Sequence, residues 1–309
     1  MIVNTSYFTI NRLRGSFMDK THISTLVIAV MICLLVTAGC TSAPGTPGTP
    51  GTVTSQPVTP VIRAPQPVSF NATPVQYVKV NGVTLGYREF GAGEPLLMAQ
   101  GFGDTINDWN ETFIGILASK YHVYTYDHRG MGYSSAYNGS PTIALYADDA
   151  AKLIPALGYD SMNVYGVSMG SSVSQQLVID HPERVRKLVL DSVTYDIRIP
   201  ETKLLYALIV VEGNNPNQTQ GVHQESQANL NWSGSWDHLS GINKTVMLVV
   251  GTADVLTPQN VTVQIASQIN GSWLVRFKGL PHFGSKYAPV QYGENALDFL
   301  GMNESPLGT

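Results

Sequence analysis

The sequence predicts an α/β protein built on a mostly parallel sheet with helices on both faces. Three observations carry this expectation. Short apolar segments of strand character alternate with helical segments from about Val75 to the C-terminal end. The first two strands meet at Asn81-Gly82, the residue pair that closes tight hairpins, so one edge of the sheet is antiparallel. The run NVYGVSMGSSV, residues 163–173, passes from an apolar strand through a glycine-flanked turn into a helical pattern.

The elements follow in order. VQYVKVNG and VTLGYREFG alternate apolar and polar residues and form the opening hairpin. EPLLMAQG and YHVYTYDH read as short buried strands. SPTIALYADDAAKLIPAL reads as a helix with Ser140 as its cap and Pro141 in its first turn. MNVYGVS is a strand, MGSSVSQQLVIDH a helix and VRKLVLDSV a strand. KTVMLVVGTAD and SWLVRFKG add two strands, and APVQYGENALDFLG closes the pattern as a helix. Strands covered on both faces read as nearly continuous apolar runs, as these do.

Composition narrows the function. The chain has 309 residues, 43% hydrophobic and 13% charged, enough for one sizeable core with tails. Net charge is −4 with no Lys/Arg cluster, so nucleic acid is not an expected partner. Cys33 and Cys40 are the two cysteines, which leaves the remainder without a disulfide, a thiolate metal site or a cysteine nucleophile. The seven histidines show no ligand spacing, so no metal is expected.

The N-terminal part reads as a targeting segment. MDKTH precedes the uncharged run ISTLVIAVMICLLVTAGC, the length of a signal core or a short membrane anchor. TAGC places small residues before Cys40, which resembles a lipobox. Residues 1–40 are therefore expected to hold the chain at the outer face of the cell membrane, through a lipid on Cys40 or an uncleaved helix. Residues 41–70, rich in Pro, Gly, Thr and Ser, form an extended spacer. Asn-x-Ser/Thr sequons begin at Asn4, Asn71, Asn110, Asn138, Asn217, Asn231, Asn243, Asn260, Asn270 and Asn303. Chance gives roughly three at this composition, and the excess points to an exported glycoprotein.

Four features converge on one chemistry. Ser168 lies in Gly-x-Ser-x-Gly between a strand and a helix, the setting of an exposed nucleophile. A serine needs an adjacent base, and His282 follows the last strand on a Gly-Leu-Pro turn. Asp254 ends a buried strand, where a carboxylate can fix the histidine tautomer and stabilise imidazolium. The glycine-rich turn of LLMAQGFGD and the helix after Ser168 offer the backbone N–H groups of Phe102 and Met169 to a developing oxyanion. Gly101 and the Phe102 side chain are the expected pocket residues.

The order Ser168, Asp254, His282, together with YDHRGMGYS, DHPERVRKLVLDS and GTADVLTP, resembles the α/β-hydrolase fold superfamily over residues 75–301. The resemblance implies a cofactor-free serine hydrolase, with Asp127 and Arg129 bracing a turn. Within a domain of residues 71–303, it also implies a cap insert at about 194–243. Gln100 and Ser171 stand where the family more often has histidine and glycine. LLYALIVV in the insert reads either as a pocket wall or as a helix buried on the sheet, and an insert of about 50 residues is expected to leave the site open. The expected substrate is a small acyl compound, most simply a carboxylic ester. An amide hydrolase of the iminopeptidase type would use Glu201, Glu212 or Glu225 to hold an amine. A surface binding module on the same scaffold would need no chemistry at all.

The N-terminal reading has a direct check. The protein is expected in the membrane fraction, and removal of residues 1–40 is expected to release an active, soluble remainder. Unchanged processing and anchoring in Cys40→Ser would favour the uncleaved helix over the lipid.

Overall fold

A computed structural model describes Pro65 and residues 67–303. The expected signal segment with Cys33 and Cys40, and nearly all of the expected spacer, lie outside the described residues. Among the described residues, no helix is long and apolar enough to cross a membrane.

Eight strands form one sheet: β1 (Gln76–Val80), β2 (Val83–Phe90), β3 (Glu94–Ala99), β4 (Tyr121–Tyr126), β5 (Met162–Val167), β6 (Val185–Asp191), β7 (Thr245–Gly251) and β8 (Trp273–Phe277). Their spatial order is β1-β2-β4-β3-β5-β6-β7-β8. β2 pairs antiparallel with both β1 and β4, and all other pairs are parallel. The hairpin turns at Asn81 and Gly82, both at positive φ (49° and 79°), as a two-residue turn matched to the strand twist requires.

Period-two alternation sorts the core onto two faces. Leu97 and Ala99 of β3 join one cluster, with α2 (Ile143–Ala156), α3 (Met169–Asp180) and α6 (Gln259–Gln268). Leu96 and Met98 join the other, with α1 (Glu111–Ala118) and α7 (Pro289–Leu300). Both faces are covered, which is why the central strands carry almost no polar residues. Trp109 sits in the second cluster, stacked on Phe113 and edge-on to Tyr165.

Two expectations about boundaries need correction, and one open alternative is decided. Helix α2 begins after Thr142, whose hydroxyl accepts from Leu145 N at 3.0 Å, so Thr142 and not Ser140 is the cap; Pro141 precedes the helix. The segment assigned to the spacer reaches too far. Phe70 is buried edge-on against Phe90 with ring centroids 5.5 Å apart, and its N–H donates to Glu111 at 2.7 Å. The Pro-rich composition before it hid that anchor. Between β6 and β7 the insert forms α4 (Lys203–Gly213) and α5 (Gln220–Leu230), which pack on each other. Leu205 and Ile209 of α4 are buried while Tyr206 and Val211 on its outer side are 42% and 61% exposed. LLYALIVV is thus a cap helix and does not lie on the sheet.

Candidate active site

The carboxyl ends of the parallel strands gather the chemistry, as they do in open α/β sheets. β5 is buried along its whole length and delivers Ser168 to the sheet edge at φ 53°, ψ −119°. That conformation is strained for a residue with a side chain, at a cost of about 1–3 kcal/mol. The neighbours show why it is kept. A Cβ on Gly166 would strike the Gly170 carbonyl, and one on Gly170 would strike the carbonyls of Ala99 and Gln100. The turn is as tight as backbone contact allows, and α3 starts directly behind the serine.

Asp254 and His282 arrive from the loops after β7 and β8. His282 Nε2 lies 3.0 Å from Ser168 Oγ, and its Nδ1 lies 2.8 Å from Asp254 Oδ2. Asp254 is only 4% exposed and fully engaged: Oδ1 accepts from Leu256 N and Thr257 N, both at 2.9 Å, and Oδ2 also accepts from Thr257 Oγ1 at 2.8 Å. This anchoring aims one oxygen at His282, so Nδ1 carries the proton and Nε2 offers its lone pair to the serine hydroxyl. Burial disfavours charge on both groups, yet their attraction outweighs it. Asp254 stays below the ordinary carboxylate range and His282 rises above its ordinary value.

Asp191, at the end of β6, is a second buried carboxylate close by. Tyr165 Oη donates to it at 2.9 Å and Ser192 Oγ at 3.0 Å. Burial pushes it up to about 7 against those two donors. It makes no hydrogen bond to His282.

Phe102 and Met169 flank Ser168 in one cleft, and neither N–H has an acceptor among the described residues. Gln100, buried in the usual histidine position, braces this turn. Its Nε2 donates to Thr105 O at 2.8 Å. Gly101 is pressed between neighbours, since a Cβ there would come within 2.7 Å of the Phe283 ring and 3.4 Å of Ser168 Cβ. Ser171 is also buried and donates to Ser168 O at 2.6 Å, stitching the elbow to the helix. Asp127 accepts from Ile106 N and Tyr133 N, both at 2.7 Å, and Arg129 forks onto Asp149.

The cleft is narrower than a short insert suggests. Phe102, Ile197, Leu205 and Ile209 form an apolar cluster that lines a narrow cleft beside Ser168. Ser168 is 8% exposed. The expectation of an open site is corrected: α4 is apolar on its inner side and closes onto the Phe102 turn.

Glu225 is the functional feature that sequence reasoning misplaced. Its side chain is fully buried and has no room for a substrate amine. Oε1 lies 2.9 Å from His128 Nδ1, and Oε2 accepts the N–H of Gly103 at 2.7 Å. A cap residue thus grips the peptide that follows Phe102. The Gly-x-Gly-Asp turn carried no sign of a partner 122 residues away. Glu212 is likewise turned to Gln218 and Asn215. No group of three or more His, Cys, Asp or Glu able to hold a metal occurs among the described residues.

A strained serine elbow with a histidine and a carboxylate in line, at the carboxyl edge of a mostly parallel sheet, defines a nucleophile-elbow α/β protein. Residues 94–222 match the family model described as alpha/beta hydrolase fold. A relative named as a carbamate hydrolase, RutD, from Azorhizobium caulinodans is 33% identical over 114 residues. That match covers 37% of this chain and 43% of the relative, less than half its length. Among solved structures, the enol-lactonase from Burkholderia xenovorans LB400 superposes with TM-score 0.62 at 20% identity, covering 74% of this chain and all of that one. The esterase RhEst1 from Rhodococcus sp. ECU1013 gives 0.61 at 22% identity, covering 77% of this chain and all of that one. The fold is that of the α/β hydrolases, and the family match spans residues 94–222.

Two outcomes are expected from this geometry. The first concerns pH. A general base works only when neutral, so the acid limb of kcat/KM should fall above pH 6.5, because His282 is raised. In Asp254→Asn the attraction is gone and burial remains, so the residual activity should show its acid limb shifted to lower pH. A pH–rate profile of both proteins checks this, and an unshifted limb would count against the pair. The second concerns Glu225. Glu225→Gln should lower kcat by roughly tenfold with KM within about threefold, since it loosens the turn that aims the Phe102 N–H. A proportional change in KM alone would place Glu225 in binding instead.

Proposed function

We propose that the protein is a serine hydrolase acting on small acyl substrates, most simply carboxylic esters. The observation that carries the reading is the continuous Ser168–His282–Asp254 hydrogen-bond line opening into an apolar cleft. In this mechanism Ser168 Oγ attacks the acyl carbonyl carbon while its proton passes to His282 Nε2. Asp254 stabilises the imidazolium that results. The N–H groups of Phe102 and Met169 bind the oxyanion. Collapse breaks the acyl carbon–oxygen bond, and the leaving alkoxide takes the proton from His282. Water then attacks the acyl-enzyme, giving one proton to His282, which returns it to Ser168 as the acid departs. No step calls for a cofactor.

Esters and lactones suit the cleft better than peptides. The walls at Ile197, Leu205 and Ile209 are apolar, and the acidic cap residue nearest the site, Glu225, is already committed to His128 and Gly103. The relatives named as an enol-lactonase and an esterase agree with this choice. On the sequence alone, the proposal also places the domain outside the cell membrane, tethered through the segment ending at Cys40.

Fluorophosphonate labelling of the wild type, and its loss in Ser168→Ala, separates a working nucleophile from a binding module. Ser168→Ala should cut kcat by roughly 10⁴ or more. Activity within tenfold of wild type would end the proposal. On p-nitrophenyl esters against aminoacyl anilides, the esters should dominate. Along the acyl series kcat/KM should climb from acetyl by up to about fourfold per carbon, the worth of a buried methylene, then fall once the narrow cleft is full. Leu205→Ala should move that maximum to longer chains.

A further inference from the structure

We infer that this protein is N-glycosylated on six loop asparagines: Asn71, Asn138, Asn217, Asn231, Asn243 and Asn270. The inference rests on the export reading of the N-terminal segment, not on the hydrolase reading.

The ten sequons exceed the roughly three expected by chance, and the structure separates them from the other asparagines. All six residues are exposed and lie outside helices and strands. None of their side chains has a hydrogen-bond partner among the described residues. The seven described asparagines outside sequons behave differently. Asn163 is buried in β5. Asn81 bonds Asp149, Asn107 bonds Arg88 and Asn215 bonds Glu212. Asn214, Asn229 and Asn295 donate to carbonyls of the preceding helical turn. The described asparagines outside sequons are bonded or buried, whereas these six sequon asparagines make no side-chain hydrogen bond among the described residues. A surface that was merely polar would not sort them in this way.

Of the other three described sequon asparagines, Asn303 has the rest of its sequon outside the described residues, and two fail the same test and serve as internal controls. Asn110 caps α1: its Oδ1 accepts from Phe113 N at 3.1 Å, and its Nδ2 donates to Lys286 O. Asn260 lies in the first turn of α6, and the hydroxyl of its sequon belongs to Thr262, which is fully buried. A transferase that needs a free asparagine amide in an extended sequon finds the Asn110 amide engaged in its cap and the Asn260 sequon wound into a helix with its hydroxyl buried. The co-reactant is an oligosaccharide linked through its anomeric carbon to a polyprenyl phosphate or pyrophosphate. The asparagine Nδ2 forms the new bond to that carbon and releases one proton. The anomeric carbon–oxygen bond breaks, and the polyprenyl phosphate departs with its electron pair.

The test is glycopeptide mass spectrometry on the full-length chain purified from its own cells, with the cell fraction recorded. Glycan mass on most of the six residues, with Asn110 and Asn260 bare, is the expected result. Modification on half of the six or fewer, or equal occupancy at Asn110 or Asn260, would overturn the assignment. Bare sites on a membrane-fraction protein would refute the glycans and leave the tether standing. Recovery of the chain from the cytoplasmic fraction would refute both. Neither failure would bear on fluorophosphonate labelling of Ser168.

Discussion

The backbone crossing between β5 and α3 sets the geometry of everything nearby. Ser168 can sit at φ 53° only because Gly166 and Gly170 let the helix start in contact with the strand end and with the carbonyls of residues 99 and 100. The same contact brings the Phe102 turn and the Met169 N–H to one side of the serine. On the other side, Ser168 N donates to Asp191 O at 3.0 Å, which ties the elbow to β6. A strained turn over-determined in this way holds its hydroxyl where the base can reach it, with little freedom left to lose during reaction.

The cap is joined to that turn through a buried carboxyl group. Glu225 carries two partners from different parts of the sheet, and its burial makes each of them hard to give up. Helix α4 supplies apolar walls, whereas α5 supplies the fastening. Substrate space and oxyanion geometry are therefore set by one insert, so a change in cap packing is felt at the Phe102 peptide.

Much of this was legible in the sequence, because the relevant signals are local. Asn81-Gly82 dictates its own turn, and the strand runs show two-face burial by being apolar throughout. Ser168, Asp254 and His282 stood out because each follows a strand end. Other features depended on tertiary partners. Thr142 took the cap from Ser140 because the chain is still extended at Thr142, one residue past Pro141, and the Thr142 hydroxyl is the one that reaches Leu145 N. Phe70 is one aromatic after a Pro-rich stretch, and only β2 and α1 give it a place. Glu225 read as one of three acids that could hold a substrate amine, and no short-range pattern encodes its reach to His128 and Gly103. The closed cleft was missed for a related reason. Insert length says how much chain is present, whereas the inward stripe of Leu205 and Ile209 decides where it lies.

The two halves of the proton relay hang from unequal supports. Ser168 ends β5, a central strand buried along its length, whereas His282 follows β8, the last strand of the sheet, where Trp273 and Leu274 are 38% and 37% exposed. Edge strands with few buried contacts open at lower free-energy cost than the core does. Fraying of β8 would carry the base away and leave the nucleophile, the cap and most of the sheet in place. By this argument the protein's resistance to heat, read as activity, is a property of its rim and not of its core.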